Sequence, residues 1–182
     1  RQCELNFNEV VVPKRWTLGG EGTGFSHVGN SALDVGRFCV ACGSTGLIRA
    51  CVRASVDYAH NRRQFGVRLS HHQLIQAMIA DMATSYQAAN ALWRQAAQSR
   101  EELQPGSIVE TTTAKYFAAK ACARAANDTV QIHGANGCGP DYPVQRYFRD
   151  ARVTELIEGS NQMQQLMIAL DALSTFASRR KR

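Results

Sequence analysis

Three stretches of this chain carry side chains that do chemistry at suggestive spacings. Glu158 stands between Ile157 and Gly159, with Ser160 and Gln162 just beyond. A carboxylate there serves either as a general base or as an acidic group favouring the N-terminal dipole of the helix that follows, and both readings stand. The run from Gln131 to Gly139 holds three glycines in nine residues. Such a run offers backbone N–H donors to phosphate oxygens, or is simply a long helix cap and turn. Asn61-Arg62-Arg63-Gln64-Phe65-Gly66 sits at a helix end. It reads either as arginines set against the C-terminal dipole before a Gly66 cap, or as an Arg that grips a phosphate while an aromatic ring packs a base.

Other candidates fall away. His133 and the pair His71 and His72 lack a second ligand at metal spacing, so they read as a packed helix-end histidine and as helix-start polarity; no metal is expected. Gly20-x-Gly22-x-Gly24 has the wrong spacing for a dinucleotide fingerprint and no βαβ unit around it, and reads as a flexible connector. Cys39 and Cys42 form a C-x-x-C inside an apolar helical run with no second pair. All six cysteines are expected to be reduced and buried.

The elements that position these residues are mostly helical. Residues 3 to 12 alternate apolar and polar and end at Pro13, which predicts a strand. One strand is not stable alone, so it must pair with strands outside this chain or lie along the bundle as an arm. A helix is predicted from about Ser31 to Arg62, with Leu47, Ile48, Cys51, Val52 and Val56 on one face. Gly43 and Gly46 within it mark close helix packing. A second runs from about His71 to Gln98, with Ile75, Met78, Ile79, Met82, Tyr86, Ala89 and Trp93 inward. Ser107-x-x-Glu110 reads as a capping box for a third, whose stripe is Val109, Thr112, Tyr116, Ala119, Ala123, Ala126 and Val130. A short helical turn follows Asp141. Gly159 or Ser160 caps a last helix, with Met163, Leu166, Met167, Leu170 and Leu173 inward. The sum is an all-α antiparallel up-and-down four-helix bundle with a short N-terminal β-strand remnant.

Composition sets the outer bounds. The chain has 182 residues, 45% hydrophobic and 20% charged, which is globular. The net charge of +6 partly reflects the terminal Arg179–Arg182, read as a solvated tail, and the rest suits an acidic ligand or protein. Neither aromatic interleaving nor a helix-turn-helix pattern supports nucleic-acid binding. No signal peptide and no apolar stretch of about 18 residues or more is read, so the expectation is a cytoplasmic protein without a membrane segment.

In order along the chain, Arg-x-Gln-Phe-Gly, Gln-Ile-His-Gly, Asp-Tyr-Pro-Val-x-Arg-Tyr-x-Arg-Asp-Ala-Arg and Ile-Glu-Gly-Ser-Asn-Gln closely resemble the acyl-CoA dehydrogenases. The opening Phe7-Asn8-Glu9-Val10-x-Val12-Pro13 looks like the end of that family's middle β-domain. The resemblance therefore implies residues 1–24 as the end of a β-domain plus linker and 25–182 as the C-terminal bundle. It implies FAD as cofactor. Arg62, Gln64 and Phe65 would meet the ADP part of one FAD, while Gln131 and the Gly134 loop would reach the FAD of a neighbouring subunit. Ser160 and Gln162 would touch flavin. Asp34, Arg37 and Gly159 would contact substrate near its thioester. Glu158 matches the base that removes the α-proton as the β-hydride passes to flavin N5. Some members carry the base just before the Arg of Asp-x-x-Arg, and here that position is Gly36, which leaves Glu158 as the family's candidate.

The same resemblance implies an acyl-CoA or acyl-carrier-protein thioester as substrate, an electron-transfer flavoprotein or other acceptor, and a homodimer or homotetramer. Ala135 and Cys138 depart from the family's second glycine and frequent aromatic, beside the cofactor. The N-terminal helical domain and nearly all of the β-domain are absent from the sequence, so this chain is expected to supply one wall of the site. The alternative reading is a non-catalytic helical module that oligomerises or docks another subunit.

Overall fold

The computed structural model describes residues 3–178, and the basic tail Arg179–Arg182 lies outside the described residues. Residues up to Ala32 form one unit and those from Leu33 a second.

The first unit holds no strand among its described residues. Residues 3–12 are irregular, with Leu5, Phe7 and Val11 exposed. The alternation predicted a strand, but a strand needs a neighbour to satisfy its backbone, and these residues have none here. A 3-10 turn at Lys14–Trp16 and a π-helical segment at Gly24–Gly29 follow.

Five α-helices are described: α1 (Asn30–Asn61), α2 (Gln73–Glu101), α3 (Ser107–His133), α4 (Val144–Thr154) and α5 (Asn161–Ser178). The four long ones are those expected, and the turn after Asp141 has become α4. In the second unit α3 is central, with α2, α4 and α5 packed on it. One apolar cluster joins Ile48 and Cys51 of α1, Met82 and Ala89 of α2, and Ala118, Cys122 and Ala126 of α3. A smaller one gathers Ala41, Ala96 and Ala114 with Phe38 and Trp93. Alanines on α3 bring the neighbouring helices close, and two hydroxyls among them are paired: Ser55 Oγ donates to Thr129 Oγ1 at 3.2 Å, and Thr129 Oγ1 donates to the Ala125 carbonyl at 2.7 Å. Ile48 is fully buried. Ile48→Ala is therefore expected to cost about 2–5 kcal/mol, read as a lowered denaturation midpoint in urea.

Several local expectations are corrected. Thr112, Ala119 and Ala126 of the predicted stripe are buried, but the buried face of α3 also takes in Thr111, Lys115, Ala118, Cys122, Ala125 and Thr129, and Tyr116 and Val130 lie at its edge. Gly106 occupies the N-cap of α3 without a side-chain cap, and Glu110 instead accepts a hydrogen bond from Gln95 of α2 at 3.3 Å. A Cβ at Gly43 or Gly46 would meet nothing within 4 Å, so neither marks a close helix contact within this chain. Met163, Leu166, Leu170 and Leu173 of α5 are largely exposed, and its buried residues are Asn161 and Gln164. The apolar face of α5 thus points outward, because its polar face is taken up by the Glu158 turn.

Cys51 and Cys122 are buried and Cys42 half-buried, but Cys3, Cys39 and Cys138 are exposed; all are free thiols. Burial pushes the Cys51 thiol up to about 11 and raises Cys122 further, which keeps both as inert thiols. The helical stretch Gly24–Asn61 does contain an 18-residue window of mean hydropathy 1.3, long and apolar enough by composition to cross a membrane. Within this stretch Ala41, Ile48, Cys51 and Ala59 are buried in the core.

Candidate active site

α4 ends at Thr154, and the chain turns back into α5 through Glu158 and Gly159. Both adopt left-handed backbone, with φ of 56° and 81°. For a residue with a Cβ this conformation costs roughly 1–2 kcal/mol, so the surroundings must hold it. They do so through the two carbonyls. Arg37 Nε on α1 donates to the Glu158 carbonyl at 3.2 Å. Gln164 Nε2 on α5 donates to the carbonyls of Glu158 and Gly159 at 3.3 and 3.0 Å. Lys115 Nζ on α3 donates to the Gly159 carbonyl at 3.0 Å and to Asn161 Oδ1 at 3.1 Å. Behind them Asn161 Nδ2 reaches Glu155 Oε1 at 3.4 Å, and Glu155 pairs with Arg152 at 2.5 Å.

The turn lays the half-buried Glu158 side chain against α1. A Cβ built on Gly36 would overlap its carboxyl carbon and Oε2. Gly36 therefore does more than lack a base: its bare Cα makes the space the carboxylate fills. A Cβ on Gly159 would come within 2.9 Å of Gln164 Nε2, which adds a packing reason for glycine there.

One turn before Arg37, Asp34 pairs with Arg100 of α2 at 2.5 Å, and Arg100 also donates to Thr111 Oγ1 at 3.3 Å and lies over the Phe38 ring. Asp34 is thus tied to the helix packing, while Arg37 is at the Glu158 turn. Ser160 contributes its carbonyl to the amide of Gln164 at 3.2 Å, and Gln162 is exposed.

The other candidates gather at a second place. After α1 the chain forms a two-stranded antiparallel ribbon, β1 (Arg63–Gln64) and β2 (Val67–Arg68). Phe65 and Gly66 both have positive φ, 52° and 81°, as a type I′ two-residue hairpin turn requires. Gly66 therefore belongs to a hairpin and does not cap α1, and Phe65 stands at its tip, 92% exposed. Next to this ribbon, α3 ends at His133 with Gly134 as its C-cap (φ 58°), and Gly137 packs so tightly that a Cβ would lie 2.7 Å from the Val130 carbonyl. Arg62, Gln64, Gln131, Gly134, Ala135 and Asn136 line one groove of about 300 Å³. The resemblance divides these residues between two flavins; the fold places them on one surface.

The floor of the groove is packed. His133 stacks on Tyr58 with centroids 4.2 Å apart, its Nδ1 is 2.8 Å from the Thr129 carbonyl, and Asn136 Nδ2 donates to Tyr58 Oη at 2.9 Å. Burial lowers the His133 pKa, in keeping with a packed neutral imidazole. No group of three or more His, Cys, Asp or Glu side chains suited to a metal occurs among the described residues.

Lys115, Asn161 and Gln164 were missed from the sequence. The signal was present for Lys115: positions 111, 115, 118 and 122 share one helical face, so a lysine there falls inside an otherwise small, uncharged stripe. Burial, then the Arg37 charge, pushes its pKa down to about 8, while Glu155 and Glu158 act the other way. Since the ordinary value is 10.5, the unfolded chain holds this proton more tightly than the fold does, and stability rises with pH between about 8 and 10.5.

Comparison with known proteins gives the family. A family model for the C-terminal domain of acyl-CoA dehydrogenase matches residues 22–173, and the chain belongs to that family. It is 42% identical over 167 residues to an acyl-CoA dehydrogenase of Bacillus subtilis (strain 168), covering 91% of this chain and 43% of that protein. It is 39% identical to a glutaryl-CoA dehydrogenase of Desulfococcus multivorans over 170 residues, 93% of this chain and 43% of the relative. The solved structure of butyryl-CoA dehydrogenase from Megasphaera elsdenii superposes with a TM-score of 0.85 at 36% identity, over 92% of this chain and 43% of that one. The chain thus spans under half the length of these relatives.

Proposed function

We propose that this chain is the C-terminal bundle of an FAD-dependent acyl-thioester α,β-dehydrogenase, with Glu158 as the base that removes the α-proton. The observation that carries the reading is the Glu158 carboxylate laid against Gly36 on a left-handed turn tied to three helices. A carboxylate carried on a turn whose backbone is held in this way starts from a defined place when it meets the C–H bond it must break. Bound FAD would supply the hydride acceptor at N5, and the protein would orient it and exclude water.

The chain's own groups divide the binding. Arg62, Gln64 and Gln131 offer a cation and side-chain amide donors to a pyrophosphate beside the turn at Gly134, and the groove they share favours a single FAD. Phe65, held outward at the hairpin tip, would pack against the nucleotide or the surface that carries it. Ser160 and Gln162 would face flavin. Arg37 and Gly159 would lie beside the thioester, with Asp34 behind them. The substrate class is an acyl-CoA or acyl-carrier-protein thioester, and electrons leave to an electron-transfer flavoprotein or another acceptor. The outward apolar face of α5 supports assembly into a homodimer or homotetramer. Residues 1–24 fit the end of a β-domain that lies before the bundle of 25–182.

The test is purification of the complete enzyme. It should carry flavin absorbance and oxidise butyryl-CoA, glutaryl-CoA or a longer acyl-CoA. Absence of flavin under every reconstitution would favour a non-catalytic docking module. Arg62→Ala should weaken FAD binding roughly 10- to 100-fold, the worth of a charge-assisted hydrogen bond, in a flavin-release titration, with the fold unchanged.

A further inference from the structure

Lys115 is 0% exposed and makes no salt bridge among the described residues; its two acceptors are the Gly159 carbonyl and Asn161 Oδ1. A buried ammonium without a carboxylate against it is costly, and a methionine would fill the same space without that cost. The charges acting on it are Arg37 from α1, which disfavours its proton, and Glu155 and Glu158 from the α4–α5 connection, which favour it. Its hydrogen bonds go to the two residues that flank Ser160, next to the only consecutive pair of left-handed residues in that connection. Arg37 and Gln164 also hold this turn, and among the described hydrogen bonds it is Lys115 that ties it to the central helix α3.

We propose that Lys115 is a positioning residue for Glu158: its buried ammonium anchors Gly159 and Asn161 to α3, and so keeps the Glu158–Gly159 turn in the left-handed conformation that lays the carboxylate against Gly36. The inference rests on Glu158 being the base. Lys115 touches neither substrate nor cofactor in this role. It acts through the backbone of the turn, so its loss should lower kcat and leave flavin binding and the bundle intact.

The experiment compares wild type, Lys115→Met and Glu158→Gln in the complete, flavin-loaded enzyme. Lys115→Met is expected to keep its flavin and to melt at or above the wild-type Tm at pH 7, because a buried charge has been removed. Its kcat with the best acyl-CoA should fall about 100-fold, the scale of a misplaced reacting group, with KM little changed. Hydrogen exchange at the Asn161 amide, which donates to the Glu155 carbonyl at 2.9 Å, should quicken in the variant. In wild type both kcat and protection of that amide, corrected for intrinsic exchange, should drop above pH about 8, and this step should vanish in Lys115→Met. The wild-type pH series needs no variant, so it tests the proposal even if Lys115→Met does not fold.

A variant with wild-type kcat and unchanged Asn161 exchange would overturn the proposal, as would a fall in kcat matched by lost flavin and a lower Tm, or a wild-type series without the step. Failure of the underlying reading is separate: Glu158→Gln would then retain turnover, whatever Lys115→Met does.

Discussion

Glu158→Gln is expected to lower kcat by about 10²- to 10⁴-fold in the complete enzyme, the range of a lost general base, while flavin absorbance and Tm stay near wild type. The reasoning is local. Glutamine keeps the volume of the side chain that fills the space over Gly36. The backbone of residue 158 still offers its carbonyl to Arg37 and Gln164. The groove of Arg62, Gln64, Gln131 and Gly134 contains no part of this turn, so FAD affinity should be unmoved. Only the proton acceptor is lost, and KM should change far less than kcat.

Gly36→Ala gives the second large effect, from a residue with no chemistry of its own. Alanine is the better helix former by about 1 kcal/mol, and Gly36 lies inside α1. By propensity alone the variant should be slightly more stable. Its methyl group, however, would occupy the place of the Glu158 carboxylate. The obstacle is the end of a flexible side chain, so the carboxylate swings aside and the helix stays. The expected result is a kcat reduced about 100-fold with the fold and the flavin retained. Unaltered kcat would mean that the carboxylate works from some other position. Stability rising while activity falls is the signature of a base moved off its mark, and it separates this variant from a packing defect such as Ile48→Ala.

Much of this was legible in the sequence. The periodicity of Ile75, Met78, Met82 and Ala89 placed α2 and its inward face, because an apolar stripe must be buried somewhere. The same rule misled for α5. Met163, Leu166 and Leu170 form as good a stripe, yet the packed side is Asn161 and Gln164, since Lys115 and the carbonyls of the Glu158 turn need polar partners. Periodicity reports that a face needs cover; it does not say what covers it. Residues 3–12 show the same limit, because alternation prepares a strand but the pairing lies with other strands. At the site, Glu158 and Gly159 were found by their order in a motif. The reason for Gly36 was half found: the missing base was visible, but the collision of a methyl with Glu158 is a three-dimensional fact. Lys115 was passed over within a run of alanines, and its spacing with Thr111, Ala118 and Cys122 was enough to flag it.

The central claim is that Glu158 removes the proton that lets the thioester be oxidised. Its most direct test is an anaerobic single turnover of the flavin-loaded enzyme, mixed with excess butyryl-CoA, glutaryl-CoA or a longer acyl-CoA and followed by flavin absorbance. Wild type should bleach with at least one of these thioesters, and Glu158→Gln should bind the same thioester and keep its absorbance. Bleaching of Glu158→Gln at the wild-type rate would contradict the account.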